Sequence, residues 1–540
     1  MLSESFRPIL NSLVHLSLLH HTHVIDLHGF LRICCPKKVT HFTFDTSGPS
    51  RQAMVMDRDY SITPPPPNET ALPKLPFTYL SLHATLYRYE IDHVLEQCPQ
   101  LKCLLFDSVK PYGHTMMHVI DACAKLCPSL QCLGWGRIRP DFVSHWKTKA
   151  SAVTTISSNY YQQEQKGLQE IVCGSFYHGG NSFSEMILSH HRTLEIIRLE
   201  RLQNEPIDPW YPMTTTMNQF NNNNSNKDAV TFEKLRIIHM NNIHVNAESM
   251  AKWVYSCCNL EELSLHAITS DSQFWLERVF QALSSSKAKL KQLNITHDKR
   301  STQLHQQENN NEDNNSINTS PEQDGVFGND SIYYYNDDEN PIYVYLIQSR
   351  KHQLKSIELG GKGLITDGIL EALTAKSNAS TLKHIALQYS AIENKGAMTQ
   401  EGLHAFAHNL HWVLDELYIT EKHQQGDNDD SDSLLTDDIL ILLSTKVKRL
   451  ILQGCKKITG KGLETFLQRN STVHDNNGEN NCNHNHLEYL EIVECGAKID
   501  KNTNGIEYAR TVLGTDNVRH IPSNQQNESN TTNTVYFAYM

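Results

Sequence analysis

The sequence predicts an α/β solenoid, a right-handed horseshoe with parallel strands lining the concave face and helices outside. Three observations predict it. One short apolar pattern recurs along nearly the whole chain, its clearest copies are followed by helical spacing, and helix starts in the C-terminal half share one register.

The pattern is an apolar residue, two variable ones, an apolar residue, one variable, an apolar residue. It stands at Leu101, Leu104, Phe106, at Leu130, Leu133, Trp135, at Leu168, Ile171, Cys173 and at Leu194, Ile197, Leu199. It continues at Leu235, Ile238, Met240, at Leu260, Leu263, Leu265 and at Leu290, Leu293, Ile295. After a long polar stretch it resumes at Leu354, Ile357, Leu359 and at Leu382, Ile385, Leu387. Then come Leu414, Leu417, Ile419, followed by Val447, Leu450, Leu452 and Leu487, Leu490, Ile492. Weaker copies lie upstream at Leu13, Leu16, Leu18, at Val39, Phe42, Phe44 and at Phe77, Leu80, Leu82, making fifteen in all.

The last two apolar positions of each copy are two residues apart, so they share one side of a short strand. Ile91, Val94, Leu95, Cys98 and Met250, Trp253, Val254, Cys257 then follow the i, i+3, i+4, i+7 spacing of a buried helical stripe. One strand and one helix are too small to close a core, so the copies must stack on their neighbours. Thr366, Thr399, Thr436 and Thr459 are each followed four residues later by Leu370, Leu403, Leu440 or Leu463. Threonine suits a helix N-cap because its hydroxyl accepts a free first-turn N–H, and the leucines then fall on the buried stripe.

These residues resemble the cysteine-containing leucine-rich repeats of the F-box/LRR (RNI-like) family. Cys98-Pro99-Gln100-Leu101, Cys127-Pro128-Ser129-Leu130 and Cys258-Asn259-Leu260 each place a cysteine just before a strand. Leu452-Gln453-Gly454-Cys455-Lys456-Lys457-Ile458-Thr459 with Gly462-Leu463 is the fullest copy; Leu359 to Leu370 is a second without the cysteine. The resemblance covers residues 10 to 515 and implies a leucine-rich-repeat solenoid that captures a substrate protein. In that family an N-terminal F-box docks onto an SCF ubiquitin ligase. Here the expected strand at Leu13 follows soon after Met1, so the printed sequence is expected to carry no F-box before it. SCF components are then partners only if an F-box is supplied upstream, and the alternative is a ligase-independent scaffold or regulatory binding protein.

Composition narrows the function class. The 540 residues carry a formal net charge of −12, which is unlike the basic surface of a general nucleic-acid binder. No apolar run reaches the roughly 18 residues of a membrane span, and Met1 to Leu19 lacks the build of a signal peptide. Thirteen cysteines without that signal read as reduced thiols, and the expected compartment is cytoplasm or nucleus. The domain reading is N-terminal repeats over 1–297, a polar insertion over 298–340, C-terminal repeats over 341–516 and a polar tail over 517–540. Asparagine-rich tracts at 221–226, 306–318, 475–485 and 525–533, and the acidic run 427–432, are expected to be loops without a core of their own. Ser431 and Ser433, set among acids, are candidate phosphosites.

Chemistry-bearing motifs are sparse. There is no Cys-x-x-Cys pair, so ordinary zinc-finger spacing is absent. Cys482, His484 and His486, and the group His20, His21, His23 and His28, are weighed as metal ligands and read as loop residues. Gly454 to Lys461 lacks phosphate-loop spacing, and no hydrolase elbow or kinase set occurs. The reading is a non-enzyme without cofactor, metal, nucleic-acid or membrane partner. Its candidate site is the concave face, formed by the variable residues that alternate with the buried strand positions. These are Arg198, Glu200, His239, Glu262, His266, Gln292 and Asn294, then Glu358, His384, Gln388, Glu416, Tyr418, Arg449, Gln453, Tyr489 and Glu491. Asp45, Asp107 and Glu170 extend the series upstream, and its excess of acids predicts a protein client carrying Lys or Arg.

Overall fold

The structure is a computed structural model. It describes residues 12–19, 31, 38–45, 74–110, 115–136, 167–174, 186–200, 230–270, 275–297, 347, 354–361, 363–375, 381–390, 397–423, 433–471, 487–500 and 504–522. The expected insertion at 298–340, the asparagine-rich tracts, the acidic run and the two histidine-containing clusters lie outside the described residues. The fold is the α/β leucine-rich-repeat solenoid that the recurring pattern predicts. Its residues fall into two compact units, 1–262 with 269–288, and 263–268 with 289–540.

In the first unit, strands β1 (His15–Leu19), β2 (His41–Asp45), β3 (Tyr79–Tyr87) and β4 (Cys103–Lys110) lie side by side in chain order. They continue through β5 (Cys132–Trp135), β6 (Glu170–Cys173), β7 (Ile196–Glu200) and β8 (Ile237–Asn241). Every pairing among them is parallel. Helices α1 (Arg88–Gln97), α2 (Thr115–Leu126), α3 (Ala247–Ser256) and α4 (Trp275–Ser285) follow strands of the pattern. A small parallel pair, β9 (His244–Val245) with β11 (Thr269–Ser270), leads into α3 and α4.

The second unit repeats this design. Its strands are β10 (Glu262–His266, from Leu263 onward), β12 (Gln292–His297), β13 (Ser356–Gly361), β14 (His384–Tyr389), β15 (Leu414–Glu421), β16 (Val447–Gln453), β17 (Tyr489–Val493) and β18 (Val518–Ile521). Helices α5 (Asp367–Thr374), α6 (Gln400–Asn409), α7 (Asp437–Leu442), α8 (Gly460–Ser471), α9 (Ala497–Asp500) and α10 (Asn504–Leu513) lie between or after them. β18 is a strand the apolar pattern does not announce, because Val518-Arg519-His520-Ile521 keeps only Val518 buried. It pairs with β17 through Leu490↔Val518, so the array runs past position 516 into the expected polar tail.

The core is built from the predicted positions. Leu354, Ile357 and Leu359, for example, are at most 3% exposed, and Ile385 is 1% exposed. The copy at Leu13, Leu16 and Leu18 is only half-buried, because β1 has β2 on one side and no other strand beside it among the described residues. Between repeats, small polar devices satisfy the helix ends. The hydroxyls of Thr366, Thr399 and Thr459 accept from the third helical N–H at 3.2, 2.9 and 3.0 Å, as expected. Thr436 begins α7 without that side-chain bond.

Two of these caps are also held by the preceding repeat. Asp367 on α5 accepts from the backbone N–H and hydroxyl of Thr399 at 2.9 and 2.8 Å. Asp437 on α7 does the same to Thr459 at 2.8 and 2.6 Å. Each carboxylate lies against a glycine: a Cβ on Gly402 would stand 1.7 Å from Asp367 Oδ1, and one on Gly462 would stand 2.0 Å from Asp437. Thr436 has no such clasp because the corresponding residue of the preceding repeat is Gln400, not aspartate.

Candidate binding face of the strands

The residues alternating with the core positions form three rows in register. In the second unit the first row runs Gln292, Ser356, His384, Glu416, Arg449, Tyr489. The middle row runs Asn294, Glu358, Ala386, Tyr418, Ile451, Glu491, Arg519. The third runs Thr296, Gly360, Gln388, Thr420, Gln453, Val493. His384 and Arg449 in the first row are exposed, and Gln292, Glu416 and Tyr489 are half-buried. The middle row is sunk between its neighbours: Asn294 is 1%, Glu358 5% and Tyr418 5% exposed.

Hydrogen bonds hold these side chains in place. Asn294 Nδ2 donates to Ser264 Oγ on β10 at 3.0 Å, and His266 and Thr296 meet at 2.8 Å. Gln388 Nε2 donates to Glu358 Oε1 at 3.0 Å, crossing beside Gly360, where a Cβ would press on Gln388 Cβ at 3.1 Å. The Tyr418 hydroxyl donates to Gln453 Oε1 at 2.6 Å, and Tyr489 to Glu491 Oε2 at 2.9 Å. Arg449 stands 5.0 Å over the Tyr489 ring and 3.8 Å from Glu416, while Arg519 pairs with Glu491 at 3.0 Å.

In the first unit Arg198 and His239 lie side by side in the middle row, and Glu200 pairs in register with Asn241. His239 Nε2 meets Glu262 Oε1 at 2.5 Å. The upstream extension differs from its expectation. Glu170 is buried, 2% exposed, so it is no solvent-facing carboxylate; the side chains of Asp45 and Asp107 lie outside the described ones. In its row Cys132 and Cys103 lead to Tyr79 and His41, whose ring stacks on Tyr79 at 5.6 Å and on His15 at 4.2 Å. Tyr79, Cys103, Leu105 and Cys132 form one buried cluster. The expected face, drawn from the variable residues that alternate with the core, does not include these four. The signal was legible: these residues flank Leu80, Leu104 and Leu133 of the same pattern.

The acids of the face are largely compensated. Glu416 has Arg449 and Glu491 has Arg519, while Glu262 shares a hydrogen bond with His239. Glu358 has no basic partner among the described residues, and burial raises its carboxyl to a pKa of about 7. The expected acid excess therefore reduces, in the second unit, to one desolvated carboxyl group.

Other candidates resolve differently. Ser433 is 1% exposed and donates to the carboxyl group of Glu421, which also accepts from Tyr389 Oη at 2.9 Å and from the N–H groups of Leu434 and Leu435 at 2.7 and 3.0 Å. A phosphoryl group there would meet a buried carboxyl, so Ser433 is a structural anchor and not a surface phosphosite; Ser431 lies outside the described residues. Cys98, Cys127 and Cys257 are buried where each helix meets the next strand, and Cys127 Sγ lies 3.6 Å from Cys98 O. Burial raises the Cys127 thiol to a pKa of about 12 and moves Cys98 and Cys257 in the same direction. Among the described residues no group of three or more His, Cys, Asp or Glu could hold a metal ion, and no helix is long and apolar enough to cross a membrane.

The chain matches no protein-family model and no curated protein. Among solved structures it is similar to a chain from the crystal structure of the Rad7 and Elc1 complex in yeast. The two are 13% identical, with a TM-score of 0.34, over 73% of this chain and 79% of that one.

Proposed function

We propose that this chain is a protein-binding repeat module whose partner lies across the strand face, and that it recruits a substrate protein to an SCF-type ubiquitin ligase. The first statement is carried by the second unit's three registered rows: polar side chains held by mutual hydrogen bonds, with an exposed rim beside a sunken middle row. Side chains ordered before binding lose little further entropy when a partner arrives. The ligase role rests on the resemblance of the cysteine-bearing repeats to those of F-box proteins.

Affinity purification of the full chain, wild type and His384→Ala/Arg449→Ala, tests both. The expected result is a set of partners retained by the wild type and lost by the variant. Recovery of an SCF adaptor and cullin with those partners supports the receptor role; the same partners without them indicate a ligase-independent scaffold. Identical partner sets for the two proteins would refute the strand face as the binding surface.

A further inference from the structure

We propose that a lysine or arginine side chain of the partner inserts above Ala386 and closes on the carboxyl group of Glu358. This inference rests on the strand-face reading and names the chemistry that the face takes. Glu358, Ala386 and Tyr418 are consecutive in the middle row on β13, β14 and β15. Neighbouring strands are about 4.8 Å apart, so the stems of Glu358 and Tyr418 stand about 10 Å apart with only a methyl group between them. The Tyr418 hydroxyl is engaged by Gln453 on β16, away from Ala386. Glu358 takes one amide, from Gln388, on Oε1, and Oε2 has no donor among the described residues.

An aromatic ring and a methyl group suit the stem of a basic side chain, and the carboxyl group suits its head. Charge complementarity singles out Glu358, since Glu416 and Glu491 already have their own arginines. A buried carboxylate without a counter-ion is costly, and an incoming cation offsets part of that cost.

Binding of a cation draws on the ionised form of Glu358, so affinity should rise with pH through about 7. Other titratable groups on the surrounding strands are His384 and Tyr389 on β14, Glu416, Tyr418 and Glu421 on β15, and His266 on β10, of which Tyr389 and Glu421 are hydrogen-bonded to each other. Protonation of His384 would also repel a cation in acid, so the Glu358→Gln variant is needed to isolate the carboxyl contribution.

Random twelve-residue peptides displayed on phage and selected on the full chain at pH 8 provide the probe. The expected peptides share a Lys or Arg. Their affinity should fall at least tenfold on Glu358→Gln, on Ala386→Leu, and for the wild type between pH 8 and pH 6, with the pH dependence flattened in Glu358→Gln. Peptides that are weakened by His384→Glu or Arg449→Glu, yet tolerate Glu358→Gln or share no basic residue, would overturn the anchor and leave the face intact. Peptides indifferent to every change on the face would overturn both. Thermal unfolding of Glu358→Gln shows whether a loss of affinity reflects a loss of fold.

Discussion

Burial changes the chemistry of Glu358 and of the cysteines in the same way, by disfavouring the charged form of each group. For Glu358 the folded-state pKa is raised from 4.5 to about 7. Its contribution to stability is fully present below the unfolded value and is lost as pH rises toward about 7, because the folded state then resists an ionisation that the unfolded chain accepts. Glu358→Gln keeps an acceptor for Gln388 and removes the titration. The variant should therefore gain on the order of 2–3 kcal/mol relative to wild type between pH 4 and pH 8; urea unfolding at both pH values measures the gain. The thiols of Cys98, Cys127 and Cys257 are buried and held protonated, whereas Cys258 is partly exposed. A maleimide at pH 7.5 should label Cys258 well before those three in the native protein, as peptide mapping by mass spectrometry would show, since the reagent needs access and a thiolate. Equal labelling would mean that these helix–strand junctions open readily.

Between neighbouring elements the clasp of Asp367 on Thr399 joins two repeats at their helix starts. Removing the carboxylate by Asp367→Ala should cost on the order of 1–3 kcal/mol through lost charge-assisted hydrogen bonds. Gly402→Ala should destabilise the wild type as well, because its new Cβ would collide with Asp367. In the Asp367→Ala background that collision is gone, and alanine in a helix is favoured over glycine by up to about 1 kcal/mol. Gly402→Ala should then be neutral or stabilising. A double-mutant cycle in urea checks the coupling, and additive losses would show that the carboxylate does not lie on the glycine. The threonine caps were readable one repeat at a time, since each hydroxyl serves its own helix. The clasp was not, because Asp367 and Thr399 are brought together only by the stacking of one repeat on the next.

Across the whole chain, stability in a stacked array is a sum of repeat and nearest-neighbour terms. Ile385 is 1% exposed between β13 and β15, and Ile385→Ala should cost on the order of 2–5 kcal/mol. The damage should remain local. Hydrogen exchange should accelerate in β13, β14 and β15 and decline with each further repeat, leaving β3 to β5 unchanged. Uniform acceleration along the chain would show a cooperativity that nearest-neighbour stacking does not provide. Strand placement is where the sequence was most informative, because Leu354, Ile357 and Leu359 and their equivalents recur wherever a strand must face the helices. β18 escaped that reading: among the described residues it pairs with one strand, and one buried residue, Val518, marks its core side.

The sequence by itself determined the architecture, since a periodic apolar pattern in repeats too small to close a core leaves stacking as its stable solution. It also determined which residues could line the strand face, because side chains alternate along a strand. Only the tertiary structure decided what those residues are. The partners that meet Glu262, Glu416 and Glu491 come from other repeats, 23, 33 and 28 residues away in the chain, so no local pattern pairs them. The isolation of Glu358 beside Ala386, the burial of Glu170 and the anchoring of Ser433 on Glu421 are likewise products of register between strands or between a strand and a loop. Desolvation and charge pairing depend on distances through space, and a one-dimensional pattern carries those only where the repeat itself dictates them.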